Sequence, residues 1–149
     1  MEVNKEEIKS RLWTEWVHGL KLLCESLQKD SLDIIHSACT SVIGDENFIQ
    51  RSMICVQRKT WIGKFKDYKS RISAYEDSMH DLISQVNKVL PTEDKIVYRS
   101  TLDDIIIDGD DSFENEAWGD HAIDAFSQLF EYTNNIMDTL TTAQDALDK

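Results

Sequence analysis

Proline and glycine are scarce in this sequence of 149 residues, which contains one Pro and five Gly. An all-β sandwich or barrel needs a turn about every ten residues, so this scarcity argues against that class. No run approaches the ~18 consecutive apolar residues that span a bilayer. The charged N-terminus also lacks the apolar core of a signal peptide. We therefore expect a cytoplasmic protein without a membrane segment.

Cysteine is scarce as well, and recognisable catalytic motifs are missing. Cys24, Cys39 and Cys55 lie in apolar helical patterns, and no CxxC pair occurs. We expect reduced core thiols rather than zinc ligands or nucleophiles. The chain has no Gly-rich loop for a phosphate. The sequence therefore predicts a protein that is not an enzyme, with no catalytic residues, no metal and no cofactor.

Basic residues are missing from one part of the chain, although the sequence has 16 of them against 28 acidic residues. Residues 1–49 carry a net charge of −4 and residues 50–100 a net charge of +4. Residues 101–149 hold 13 acids and only Lys149 as a base, so the whole net charge of −12 lies there. Such a segment repels phosphate and attracts basic partners. We expect no direct binding of nucleic acid.

Apolar residues are present in sufficient number for a core, at 41% of the chain, and most recur with helical spacing. The pattern predicts an all-α, single-domain antiparallel bundle of about six helices over residues 1–149. The apolar positions of the first helix recur from Ile8 to Leu27, with Glu6 and Glu7 in its first turn. Asp30 or Ser31 caps a second helix that ends at Gly44. The predicted inward residues of these two helices are Ile8, Leu12, Trp13, Trp16, Val17, Leu20, Leu23, Leu27, Leu32, Ile35, Cys39 and Val42.

The remaining predicted helices follow Gly44. Asp45 caps a third helix, which either extends through Trp61, Ile62 and Phe65 or ends at a turn at Gly63. A fourth helix covers residues 67–89 before Pro91. A short helix or a strand occupies residues 95–107, and a long helix covers residues 118–140. The predicted inward residues are Phe48, Ile49, Met53, Val56, Ile72, Tyr75, Met79, Leu82, Ile83, Val86, Leu90, Ala122, Phe126, Leu129, Phe130, Thr133, Ile136, Met137 and Leu140.

Two patterns offer alternatives. Each of the four His has an Asp or Glu three residues away, a spacing that helical metal sites use. Isolated pairs that stabilise a helix are the simpler interpretation.

The basic stretch 51–71 contains Trp61, Phe65 and Tyr68, which could stack on nucleic acid. An amphipathic helix with buried aromatics is the simpler interpretation there, and its basic face could pair with the acidic third of the chain or with a second copy.

The acidic cluster between residues 103 and 124 holds nine acids and no base. Crowded like charges destabilise a fold unless something compensates, and a basic partner would do so. Phe113 and Trp118 could serve as apolar anchors among these charges. The predicted partner-binding residues are Asp103, Asp104, Asp108, Asp110, Asp111, Phe113, Glu114, Glu116, Trp118 and Asp120.

Three segments carry a resemblance to a known family. They are Leu-Pro-Thr-Glu-Asp at 90–94, Ala-Ile-Asp-Ala at 122–125, and Thr-Thr-Ala-Gln-Asp-Ala-Leu-Asp at 141–148. Together they resemble the YjaG-like family of small bacterial all-helical proteins of unknown function. The resemblance implies a helical fold and a bacterial origin, and it implies no reaction. Against the family pattern, residues 99–117 look like an acidic insertion or loop.

The charge map and the lack of motifs favour a binding protein for a basic protein partner. Its most concrete form is a cytoplasmic immunity protein that blocks a nuclease-type toxin, because a nuclease site is basic. A metal-binding or enzymatic bundle that uses the His–carboxylate pairs is the alternative. A phage-encoded inhibitor that mimics DNA is the third hypothesis, and a homodimer is compatible with all three.

Overall fold

The computed structural model describes residues 4–15, 19–36, 48–107 and 118–148, without the side chains of Phe48 and Arg51. These residues form four α-helices and no strand, so the all-α class is confirmed and the count of six helices is wrong. The helices are α1 (Lys5–Glu15), α2 (Lys21–Ile35), α3 (Phe48–Val89) and α4 (Trp118–Asp148). None of the described helices is both long and apolar enough to cross a bilayer.

The largest difference in helix count comes from α3, which joins the predicted third and fourth helices. Its 42 residues make a helix about 63 Å long that continues through Gly63. The core face continues in register across this position, because Trp61, Ile62 and Phe65 are all buried. A helical glycine costs about 1 kcal/mol relative to alanine, which the burial of these side chains outweighs.

Helix α2 also continues where a break was predicted. It passes through Asp30 and Ser31 to Ile35, so neither residue caps a helix. Asp30 instead accepts a hydrogen bond from the Tyr68 hydroxyl on α3. Ile34 is buried, while Leu32 and Ile35 are about half exposed, so the predicted inward face is wrong for these two. Cys39, Val42, Gly44 and Asp45 lie outside the described residues.

The predicted first helix is divided into α1 and α2. Residues 16–18, including Trp16 and Val17, lie outside the described residues, and Gly19 and Leu20 form a π-type turn before α2. The inward stripe is confirmed at Ile8, Leu12, Leu20, Leu23 and Leu27, which are all buried. Trp13 is exposed, because it lies at the edge of the stripe rather than within it.

The first turns of α3 present a different face from the predicted one. Ile49, Met53 and Val56 are 57–70% exposed, whereas Ile54 and Arg58 are buried. At 100° per residue these two sets lie on opposite sides of the helix. Apolar residues occur on both sides here, so periodicity alone could not select the core face.

The order of contacts along the helices shows their directions. Lys9 pairs with Asp148, and Cys24 contacts Asn134, so α1 and α2 run antiparallel to α4. By contrast, Arg58 contacts Trp118, and eighteen residues further along α3 Glu76 binds Tyr132. Helices α3 and α4 therefore run parallel, which corrects the antiparallel arrangement predicted for the whole bundle.

A parallel pair needs a connection that returns along its whole length, and residues 91–107, here called the return segment, provide most of it. The predicted helix at 95–107 is absent; the return segment is extended, with 3-10 turns at Thr92–Asp94 and Leu102–Asp104. The Asn87 side chain binds both the backbone N–H and the carbonyl of Ile96, at 2.8 and 2.9 Å. Further along, Lys69 donates to the carbonyl of Ile105. Side chains of α3 thus replace the hydrogen bonds that a helix would supply.

Helix α4 follows the prediction most closely. It begins at Trp118 and continues past residue 140 to Asp148. At its centre, Phe126 makes edge contacts with Trp61, Phe65 and Tyr68 of α3, at ring distances of 5.5–6.3 Å. The buried residues of the predicted face are Ala122, Phe126, Leu129, Thr133, Ile136 and Leu140, and Phe130 and Met137 are partly buried against the core.

Candidate functional site

The predicted partner-binding residues separate into three groups. Asp103 and Asp104 lie in the second 3-10 turn and Asp120 lies in the first turn of α4, and all three are exposed. Trp118 is fully buried. The remaining residues lie outside the described parts of the chain, and they are Asp108, Asp110, Asp111, Phe113, Glu114 and Glu116.

Trp118 does not have the exposed position that an anchor for a partner requires. Its ring lies 5.2 Å from the guanidinium carbon of Arg58, which is itself fully buried on α3. A cation over the face of a Trp ring is attracted to it, and burial strengthens the attraction. Trp118 therefore anchors the start of α4 to α3 and is not exposed as a surface contact.

Residues 101–107, here called the acidic turn, have a fixed geometry. The backbone N–H groups of Asp104 and Ile105 donate to the carbonyls of Thr101 and Leu102, both at 3.1 Å. Lys69 Nζ donates to the carbonyl of Ile105 at 2.8 Å. Backbone bonds inside the turn and a lysine from α3 therefore hold it in place.

Burial also orients the acidic turn. Leu102, Ile105 and Ile107 are 3–6% exposed and belong to the core, while Ile106 between them is 56% exposed. Asp103 and Asp104 point outward, and neither carboxylate pairs with a cation among the described residues. The turn thus presents two carboxylates and one apolar side chain to solvent.

Ile106 is a surface residue that the sequence prediction missed. The apolar pattern treats Ile105-Ile106-Ile107 as one block, but its residues alternate between core and solvent. Alternation is what an extended backbone imposes, because successive side chains point in opposite directions. An extended backbone over residues 105–107 therefore predicts that Ile106 faces away from its two buried neighbours.

A second polar site lies deeper, around the carboxylate of Glu76 on α3, which is 3% exposed. The hydroxyl groups of Tyr98 and Tyr132 donate hydrogen bonds to Oε2, and Ser100 donates one to Oε1 at 3.0 Å. The backbone N–H of Thr101 donates to the Tyr132 hydroxyl at 3.3 Å. We call these four side chains, Glu76, Tyr98, Ser100 and Tyr132, the hydroxyl cluster.

The hydroxyl cluster satisfies the buried charge of Glu76 with donors from two other elements, the return segment and α4. Burial raises the pKa of Tyr98 strongly, and its hydrogen bond to Glu76 adds to the shift. Burial also raises the pKa of Tyr132, again with help from Glu76. Both tyrosines therefore keep their protons and remain donors. A carboxylate enclosed in this way joins three elements and is not open to a substrate.

The basic stretch of α3 is largely engaged within the chain. Lys64 Nζ lies 3.6 Å from Asp30, and Arg71 lies 3.9 Å from Asp67 on the same helix. Its aromatic residues, Trp61, Phe65 and Tyr68, are all buried. The interpretation as an amphipathic helix is therefore confirmed for these aromatics, and their rings are not open for stacking on bases.

The cysteines and histidines complete the set of candidate residues. Cys24 is buried and accepts a hydrogen bond from Thr133, whereas Cys55 is partly buried. The ring of His80 lies 5.4 Å from that of Tyr98. Across the described ranges, no three His, Cys, Asp or Glu side chains are grouped as a metal site would require. The metal alternative stays a prediction, since His18 and Cys39 lie outside those ranges.

Comparisons with known proteins add no relative. No family model matches the chain, and neither a curated protein nor a solved structure is significantly similar to it. The resemblance to the YjaG-like family is therefore untested.

Proposed function

We propose that this chain is a non-enzymatic binding protein that neutralises a basic protein partner. In its most concrete form, it is a bacterial immunity protein that covers the active site of a nuclease-type toxin in the cytoplasm. The observation that carries the proposal is the acidic turn, where Asp103 and Asp104 stand exposed beside the exposed Ile106, with no cationic partner among the described residues.

The physical argument concerns both the rate and the strength of binding. Exposed carboxylates attract a basic surface over a Debye length of about 8 Å at physiological salt, which accelerates encounter. Ile106 supplies exposed apolar area beside these two carboxylates, and apolar contacts of this kind contribute most of the binding energy at an interface. Because the core and Lys69 already hold the turn, little conformational entropy is lost when a partner binds.

The distribution of charge supports the same proposal. Several cations of α3 are used internally, as Lys64, Lys69 and Arg71 illustrate. The last third of the chain, by contrast, carries the whole net charge of −12. A basic partner relieves the repulsion among these acids, and phosphate would increase it.

The test is co-expression with the product of the neighbouring gene, followed by affinity purification and a nuclease inhibition assay. The variant Asp103→Lys/Asp104→Lys should weaken binding at least tenfold. The control Glu93→Lys/Glu131→Lys makes the same change in charge at two exposed positions outside the acidic turn. It should retain binding within about threefold.

A wider reversal separates the turn from the neighbouring acids. Adding Asp110→Lys, Asp111→Lys and Glu114→Lys to the double variant should abolish binding. Binding that survives the reversal of all five charges contradicts the electrostatic proposal.

Metal analysis of the purified protein tests the metal alternative. A stoichiometric content of Fe, Mn or Zn that is lost in His80→Ala or His121→Ala supports that alternative instead.

A further inference from the structure

Two side chains from neighbouring helices hold the backbone of the acidic turn, one at each end. At the first end, the backbone N–H of Thr101 donates to the Tyr132 hydroxyl on α4 at 3.3 Å. At the other end, Lys69 Nζ on α3 donates to the carbonyl of Ile105 at 2.8 Å. The two exposed aspartates of the turn lie between these points. The direction of their carboxylates therefore depends on bonds that neither carboxylate makes.

Burial alone does not set that direction. Leu102 and Ile105 are buried, but each residue between them has two soft backbone dihedral angles, so the backbone could rotate without lifting either side chain from the core. Two backbone bonds limit this rotation, from Asp104 to the carbonyl of Thr101 and from Ile105 to that of Leu102. The first bond includes Thr101 and the second includes Ile105. The contacts from outside the turn thus hold the residues on which its internal bonds depend.

Tyr132 is itself held in place, because it belongs to the hydroxyl cluster. Its hydroxyl group donates a hydrogen bond to Oε2 of Glu76, which is buried on α3. A tyrosine hydroxyl has one proton, so the oxygen that has donated to Glu76 can only accept from Thr101. The buried carboxylate therefore orients the hydroxyl group that receives the end of the acidic turn.

Lys69 bonds a backbone carbonyl, and it forms no ion pair with Asp103 or Asp104. Its ammonium group thus fixes the turn and leaves both carboxylates open to a partner. Its charge also offsets part of the negative potential of the turn. Lys69 accordingly has two effects of opposite sign on a basic partner, because it weakens the attraction at long range and maintains the geometry at short range.

We propose that Tyr132 and Lys69 are positioning residues, which keep the acidic turn of the free chain in the conformation that binds the basic partner. The inference rests on the function proposed above. When either bond is lost, fewer chains hold this conformation, and the apparent dissociation constant rises by the inverse of that fraction. For the charged bond of Lys69 we expect a rise of about tenfold, which corresponds to about 1.4 kcal/mol. For the neutral bond of Tyr132 we expect about threefold.

Hydrogen exchange of the free full chain, followed by NMR, tests the Lys69 bond without a partner. Lys69→Met keeps an apolar stem beside the Phe65 ring and should lower the protection of the Asp104 and Ile105 amides, while amides in the middle of α4 keep theirs. Lys69→Arg retains a donor and should restore most of the protection. The control Lys66→Met removes the same charge one turn earlier, at an exposed position, and should change neither amide.

A second pair of variants tests the Tyr132 bond in the same way. Tyr132→Phe should lower the protection of the Thr101 and Asp104 amides, because the first loses its acceptor and the second is bonded to the same residue. Tyr98→Phe removes a donor to the same oxygen of Glu76 without a bond to the turn, so it should leave the Asp104 amide unchanged. Wild-type protection of Asp104 in both Lys69→Met and Tyr132→Phe overturns the proposal.

Binding kinetics with the co-purified partner separate this proposal from the one it rests on. Lys69→Met should raise the dissociation rate about tenfold, with association as fast as in the wild type or faster because a cation has left the acidic surface. Asp103→Lys/Asp104→Lys should slow association instead. If that double variant binds like the wild type, the proposed function fails. If it binds weakly while Lys69→Met and Tyr132→Phe dissociate at the wild-type rate, only the positioning role is overturned.

Discussion

The hydroxyl cluster allows the most quantitative prediction about the fold. Glu76→Gln keeps the size of the side chain and removes the charge that three hydroxyl groups stabilise. A hydrogen bond to a charged group contributes about 1.5–3 kcal/mol and a neutral one about 0.5–1.5 kcal/mol. The amide also has one acceptor oxygen in place of two, so at least one of the three hydroxyl groups loses its acceptor. A loss of at least about 1 kcal/mol at each bond lowers the free energy of unfolding by about 3 kcal/mol or more.

The assay is urea denaturation at pH 7, followed by circular dichroism. The urea midpoint should fall, while the slope of the unfolding free energy against urea concentration should stay unchanged because the core remains intact. Glu131→Gln is the matched control, since Glu131 is exposed on α4 and its loss should change stability by no more than about 0.5 kcal/mol.

Hydrogen exchange locates the effect. The amide of Thr101 donates to Tyr132, so its protection should fall more than that of amides in the middle of α4. A loss of stability no larger than that of the control would refute the reasoning, because Glu76 would then not join the return segment to the helices.

Three further predictions concern the return segment and its surface. The raised pKa values of Tyr98 and Tyr132 mean that, above about pH 10, the folded state holds protons that the unfolded chain releases, so the free energy of unfolding is complete below that pH and falls above it. Tyr98→Phe removes one of these groups and should therefore make this fall less steep. Urea midpoints between about pH 8 and 11 measure it. Asn87→Ala should cost about 1–3 kcal/mol in urea denaturation and expose the return segment to proteolysis, because two backbone groups lose their partner. Ile106→Ala should weaken binding of the basic partner by titration calorimetry without changing the melting temperature, and Val97→Ala, at a more exposed position of the same segment, should do neither.

Helix α4 and the second half of α3 were predictable because their apolar residues lie on one face only. Ile72, Met79 and Val86 recur at a spacing of seven, and Leu82 and Ile83 between them fall on the same face, which leaves one choice of core face. The first turns of α3 were not predictable in this way. Ile49 and Ile54 lie on opposite faces there, and tertiary contacts decide which of them is buried.

The return segment was unpredictable for a different reason. A helix over residues 95–107 would have satisfied its own backbone, and no local pattern indicates that the side chains of Asn87, Lys69 and Tyr132 bind these backbone groups instead. These are long-range side-chain contacts, which periodicity does not detect. The position of Trp118 was missed similarly, because its partner Arg58 is sixty residues away on another helix.

The central claim is that the acidic turn recognises a basic protein. The most direct measurement is the association rate of the purified chain with the co-purified partner, at several ionic strengths. We expect the rate to fall steeply with salt for the wild type, and we expect Asp103→Lys/Asp104→Lys to slow association and flatten that dependence. An equal rate and an equal salt dependence for wild type and variant would contradict the claim.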